Sequence, residues 1–134
     1  LQAHIPTING TTNLKGLDGV VDIYRDLYGI PHVYAQTNHD AFFGQGFATA
    51  QDRLWHMDSD RKRAYGQWSE VVGESGLEHD RLFRSLRIKD SALYSLKTVS
   101  DNTKEMLISY ADGVNAFLKS IVVLLIINSL LLVH

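Results

Sequence analysis

The feature that most constrains this chain is a change of hydrophobic period a third of the way along it. Apolar residues recur at Phe43, Phe47, Ala50, Leu54 and Met57. Steps of four, three, four and three place these side chains on one face of a helix. Upstream, Val20–Arg25 and Ile30–Ala35 are instead rich in β-branched and aromatic residues, the composition of strands. Between them lies Asp26-Leu27-Tyr28-Gly29, a short loop ending in a glycine able to take positive φ. Two such runs joined by such a loop read as a hairpin. Pro31 has no N–H for a ladder, so it belongs at a strand start or an edge.

The helix after the hairpin has a start and a stop. Thr37 stands three residues before Asp40, a weak capping-box pattern. The helix is expected to run to about Tyr65 and to end at Gly66. Gly44 and Gly46 inside it lower helix propensity by about 1 kcal/mol each. Their presence there predicts close packing against another backbone. Further pieces are expected over Gln67–Val72, ending at Gly73, then over Asp80–Leu86 and Ser91–Leu96. A last helix should begin near Ser100 and Asp101, both good N-cap types. Its apolar stripe would be Met106, Leu107, Tyr110, Ala111, Val114, Phe117 and Leu118. The fold class is therefore α+β, a β-hairpin followed mostly by helices, after a turn-rich lead-in over Leu1–Asp18. A length of 134 residues suits one domain or part of one.

Composition narrows the function. A formal net charge of −2 argues against a nucleic-acid binder. Arg61, Lys62 and Arg63 beside Asp58 and Asp60 read as a solvated, salt-bridged helix face, with Lys62 a surface position. The absence of cysteine excludes disulfides, thiolate metal sites and a cysteine nucleophile. The six histidines, His4, His32, His39, His56, His79 and His134, form no HExxH pair. His56, four residues after Asp52, is at most a two-ligand edge. Zinc takes three or four protein ligands, so no metal site is expected. No GxSxG occurs, and Gly44-Gln45-Gly46 opens no GxGxxG. Asp58 with Asp60, and Glu78 with Asp80, are candidate acid–base pairs, but solvated surface charge is the commoner role. The run Ile121–Val133 is apolar except at Asn128 and Ser129, and is shorter than the ~20 residues a spanning helix needs. A buried helix end, a membrane tail and an abnormal chain end are its three readings.

Four blocks in order carry a family resemblance. They are Arg25–Ala35 (RDLYGIPHVYA), Gly46–Met57 (GFATAQDRLWHM), Lys62–Gly66 and Tyr110–Asn115 (YADGVN). In order and spacing they resemble the opening of the penicillin acylase family, with lysine for arginine at Lys62. The match covers about residues 5–119. The resemblance implies an N-terminal-nucleophile hydrolase of αββα sandwich fold, of which this chain is a part. Such enzymes hydrolyse carbon–nitrogen bonds other than peptide bonds in linear amides. They are made as a precursor that cuts itself into α and β chains. The new β-chain N-terminus, usually serine, serves as nucleophile and, through its α-amine, as base.

On this reading residues 1–120 are the N-terminal part of the α chain, and 121–134 is a tail without a family counterpart. The chain then holds no catalytic, cofactor-binding or metal residue, and is expected to be inactive alone. Arg25, Asp26, His32, Gln51, Asp52 and Arg53 match motif positions and are expected to form a polar scaffold packed on the missing β chain. The family implies a small acyl-amide substrate, allows calcium in a complete parent, and suggests a periplasmic or extracellular compartment. No nucleic-acid partner is expected. The rival reading is a non-enzymatic interaction or membrane-tethered module.

Overall fold

The computed structural model describes residues 9–131, and side chains through Ile121. The order of elements is β1 (Asp22–Arg25), β2 (Pro31–Tyr34), α1 (Asn38–Ala64), α2 (Ser69–Val72), a 3₁₀ turn (Gly73–Gly76), α3 (Leu77–Ser85), α4 (Ile88–Thr98) and α5 (Asp101–Leu131). The lead-in before Asn9 lies outside the described residues. The chain divides into two compact units. One combines the residues up to Asp52 with those from Glu105 onward, and the other is Arg53–Lys104.

In the first unit β1 and β2 form an antiparallel pair, with Ile23 opposite Val33 and Tyr24 opposite His32. Pro31 opens β2, where its missing N–H costs no ladder bond. Gly29 takes φ +78° and its N–H donates to the Asp26 carbonyl, closing the loop as the glycine implied. Burial alternates along both strands, so one sheet face carries Ile23, Arg25 and Val33 and the other Tyr24, His32 and Tyr34. Val21 and Val33 lie against Gly44 of α1, where a Cβ would strike both side chains. Gly44 therefore meets side chains of the hairpin region.

The backbone contact expected of these glycines occurs at Gly46, two residues on. A Cβ on Gly46 would fall on the Tyr110 carbonyl of α5, and one on Gly113 would fall on the Phe43 carbonyl of α1. Each helix thus offers a glycine to the other's backbone. Phe47 and Phe117 meet edge-to-face beside this crossing, with ring centroids 5.4 Å apart. Among the described residues, Phe43, Ala48, Ala50 and Phe117 are the buried apolar side chains. The stripe proposed for α5 needs correction. Leu107, Ala111 and Leu118 are exposed, and the buried face follows Ser109, Gly113 and Phe117. Close backbone approach selects small residues at the centre of that face, which a count of large apolar residues overlooks.

The second unit begins inside α1. Arg53 has non-helical angles (φ −139°, ψ 26°), so α1 is kinked between Ala50 and Leu54 of its apolar stripe. Its C-terminus comes where expected: Gly66 takes φ +63°, and the Gln67 N–H bonds the Lys62 carbonyl at 2.8 Å. Asp58 pairs with Arg61 at 2.7 Å and Asp60 with His56 at 3.4 Å. Lys62 is not the surface position expected. Its side chain is only 19% exposed and pairs with Glu70 at 2.5 Å. α5 starts at Asp101 with the Thr103 N–H on the Ser100 hydroxyl, a side-chain cap. It continues without interruption into the apolar run. Among the described residues no helix is long and apolar enough to cross a membrane.

Candidate functional site

Three of the six motif residues, Arg25, Gln51 and Asp52, meet where the hairpin lies on α1, and two more, Asp26 and His32, pair within the hairpin. Arg25 points inward from β1. One Nη donates to Asp52 Oδ2 at 2.8 Å and to the Gly29 carbonyl at 3.1 Å, and the other donates to Gln51 Oε1 at 2.8 Å. The guanidinium fork thus spans two successive residues just before the kink. Asp26 turns the other way. Its Oδ1 accepts the Tyr28 and Ile30 N–H groups, each at 2.9 Å, and its Oδ2 lies 3.2 Å from His32 Nε2. The bond from Ile30 and the one from His32 hold the Asp26 carboxyl below its ordinary range. Such a carboxylate is a poor general base near neutrality. Arg53 stands outside this network, exposed at the kink. The other five are engaged in these bonds.

Two buried aspartates carry more of the local architecture than the sequence suggested. Asp40 is 0% exposed, and its two oxygens accept the Asp18 and Gly19 N–H groups at 2.9 Å each. Its own N–H bonds the Thr37 hydroxyl at 3.1 Å, so half of the capping box forms. The carboxylate that should have completed the box reaches back to the lead-in loop. Burial alone would raise the pKa of Asp40, but the bonds from Asp18, His39 and Gly19 outweigh it and leave the group lowered.

Asp80 in the first turn of α3 repeats the device. It accepts the Trp68 and Ser69 N–H groups at 2.7 and 2.8 Å, and the Ser69 hydroxyl at 2.5 Å. Burial opposes ionisation here too, yet the Ser69 hydroxyl and N–H, then Trp68, bring the pKa down to about 2. Because the Trp68 and Ser69 N–H groups are held this way, the piece expected from Gln67 is helical only from Ser69. Glu78, exposed, makes no acid–base pair with buried Asp80. Asp18-Gly19, a turn dipeptide, was a weak signal for the first clamp. Nothing local signalled the second, whose partners are backbone atoms 11 and 12 residues away.

Asp18, His39 and Asp40 place ligand atoms within 4.8 Å of one another. Nothing in the residue pattern pointed to this group. It does not suit calcium, which takes six to eight oxygens, since an imidazole is one of the three donors. Both Asp40 oxygens are also already engaged by backbone N–H groups.

A hairpin laid on a long helix, tied by an Arg–Gln–Asp clamp and followed mostly by helices, makes an α+β piece. A penicillin G acylase from Alcaligenes faecalis, a thermostable enzyme, matches with a TM-score of 0.69 and 32% identity over 76% of this chain and 54% of that one. The family model for penicillin amidase matches residues 20–123. The chain belongs to the penicillin amidase family. It is 38% identical over 120 residues to penicillin acylase 2 proenzyme of a Pseudomonas species, covering 90% of this chain and 16% of that protein. It is 41% identical over 110 residues to the acyl-homoserine lactone acylase QuiP of Pseudomonas syringae, covering 82% and 13%. Penicillin G acylase of Escherichia coli is 34% identical over 101 residues, covering 75% and 12%. The chain therefore spans about one-sixth or less of the length of these relatives.

Proposed function

We propose that this chain is the N-terminal α-chain part of an acylase that hydrolyses linear amides, with its nucleophile supplied by a β chain from the same precursor. Family membership and the acylase names of the relatives support the reaction class. One of them is named a proenzyme, which fits a processed precursor. The chain also covers 54% of the solved chain but only 16% of that proenzyme, as expected if acylase α chains are separate, short pieces. In the complete enzyme the hydroxyl of an N-terminal serine would attack the amide carbonyl. Its α-amine would take the proton and deliver it to the leaving amine, and water would then release the acyl group.

The arrangement of Ser69, Asp80 and His79 supports the reading that the chain alone is inactive. These are the residue types of a hydrolytic triad in the wrong order. Ser69 donates directly to Asp80, whose pKa of about 2 makes it too weak a base to take the proton. His79 Nδ1 lies 3.6 Å from Asp80, on the carboxylate's other oxygen, and its ring stacks on Phe83.

Turnover of a chromogenic phenylacetyl or glutaryl anilide tests the proposal. The pure 134-residue chain should show none. The same chain fused in place of the matching segment of the Pseudomonas proenzyme should show saturable turnover. Turnover by the isolated chain that a single Ser69→Ala change abolishes would overturn the reading.

A further inference from the structure

The lead-in loop and the start of α1 bring three donor atoms together. His39 Nδ1 lies 3.1 Å from Asp40 Oδ1 and 3.8 Å from Asp18 Oδ2. One donor atom from each residue falls within 4.8 Å of the others. Zinc binds imidazole nitrogen and carboxylate oxygen at about 2.0–2.2 Å, which puts two ligands of a tetrahedral ion about 3.3–3.5 Å apart. The two measured separations bracket that spacing. The Asp18 side chain is 65% exposed, so it has room to close the small remainder.

The surroundings suit a cation. His39 is the one ion-pair partner that either aspartate has among the described residues. Burial opposes ionisation of Asp40, yet the bonds from Asp18, His39 and Gly19 outweigh it, so the carboxylate keeps its charge. The start of α1 contributes only about half a positive charge, which two carboxylates exceed. The backbone bonds on Asp40 leave space for a metal, because each carboxylate oxygen offers two lone pairs. Oδ1 uses one for the Asp18 N–H and faces His39 with the other. An ion there takes the place of the proton between Nδ1 and Oδ1, and the imidazole carries its proton on Nε2. The N–H bonds then fix the ligating carboxylate, as bonds behind metal ligands commonly do. One nitrogen and two oxygens favour zinc and its first-row neighbours over calcium and magnesium, which take oxygen. The open sides of His39 and Asp18 leave a fourth position to water.

We propose that Asp18, His39 and Asp40 form a binding site for a zinc-type divalent ion, which staples the lead-in loop to the start of α1. All three residues lie in one compact unit of this chain, so the site stands or falls independently of the acylase reading.

The full 134-residue chain is titrated with zinc chloride by calorimetry, and its amide exchange is followed with and without the metal. One equivalent should bind. His39→Ala and Asp18→Asn should each weaken binding at least about tenfold. His56→Ala, which removes the exposed His56–Asp60 pair, should leave it unchanged within about twofold. With zinc at about a hundred times its Kd, exchange at the Asp18 and Gly19 N–H groups should slow by up to about a hundredfold, since opening of the loop releases the ion. Asp18→Asn keeps the backbone N–H that Asp40 accepts, so it decides the matter in the event that His39→Ala loses its helical circular dichroism.

Zinc binding of equal strength in the parent chain and in Asp18→Asn would overturn the proposal. Loss of binding in His56→Ala alone would assign the ion to the other His–Asp pair, with the same consequence. Calcium that displaces zinc at comparable concentration would mark a site of oxygen donors only and refute the zinc-type site. No uptake at zinc concentrations up to about 1 mM refutes it as well. Bound zinc that leaves exchange at Asp18 and Gly19 unchanged would place the ion elsewhere and remove the staple.

Discussion

In the unit that combines the residues up to Asp52 with those from Glu105 onward, the buried apolar side chains among the described residues are Phe43, Ala48, Ala50 and Phe117, gathered where α1 and α5 touch through Gly46 and Gly113. In Arg53–Lys104 the buried side chains are Ser59 and Asp80, both polar. That second unit relies on ionic and cation–π contacts: Lys62 with Glu70, Arg63 4.3 Å from the Trp68 ring, and Lys89 5.2 Å from the Tyr65 ring. Both units use a buried aspartate to hold two backbone N–H groups. Only the first adds an apolar core around its clamp. A carboxylate clamp fixes a local turn, while stability against unfolding comes mainly from removing apolar surface from water. The two units should therefore respond differently to core truncation, to added bulk and to acid.

The largest expected effect is in the apolar unit. Phe43→Ala should cost about 3–5 kcal/mol there, because it removes a fully buried ring. Hydrogen exchange at residues 43–50 and 109–117 should accelerate strongly. Both tryptophans, Trp55 and Trp68, lie in the other unit, so their fluorescence reports it separately. An equal shift in the urea midpoint of tryptophan fluorescence would show that the two units unfold as one, and the contrast would fail.

Gly46→Ala sharpens the same point. In an ordinary helix this change gains about 1 kcal/mol. Here the new methyl meets a backbone carbonyl that cannot rotate away, so a net loss of about 1–3 kcal/mol is expected. Exchange at Tyr110 and Gly113 should rise. A stabilised variant would mean that the helices are farther apart than described.

Acid should act on the polar unit through Asp80. Its carboxyl titrates at about 2 in the fold against 3.8 in the unfolded chain. Above about pH 4 it is ionised in both states and its stabilisation is fully present. As pH falls from about 4 towards 2 the unfolded chain takes up a proton first, so stability declines through that window. Tryptophan fluorescence of Arg53–Lys104 should follow this loss, and Asp80→Asn should remove that component. An unchanged acid profile in the Asp80→Asn variant would show that other carboxylates carry the effect.

The smallest effect is expected at Lys62. Replacing it with alanine exposes its covered stem and breaks a half-exposed ion pair, together about 0.5–1 kcal/mol by urea titration. A cost within experimental error would return Lys62 to the plain surface role that charge patterning suggested.

Much of the architecture was legible in the residues because it rests on local chemistry. The strands around Asp26–Gly29, the Thr37 cap, the stop at Gly66 and the start at Ser100 and Asp101 each depend on groups a few residues apart. Four ordered motif blocks carried the family, whose model matches residues 20–123. The motif also picked out Arg25, Gln51 and Asp52 together, although their contact spans 26 and 27 residues. What sequence alone did not reveal is set by distant partners. Asp40 and Asp80 look like ordinary helix-start acids until the N–H groups of Asp18, Gly19, Trp68 and Ser69 arrive against them. Glycine at 113 looks like a weak point in α5 until Phe43's carbonyl occupies the space a side chain would need. Hydrophobic period and capping chemistry act within a helical turn or a strand pair, so sequence determines them directly. Which backbone donors meet a buried carboxylate, and which glycine admits a neighbouring helix, depend on atoms far apart in the chain, and only tertiary packing decides them.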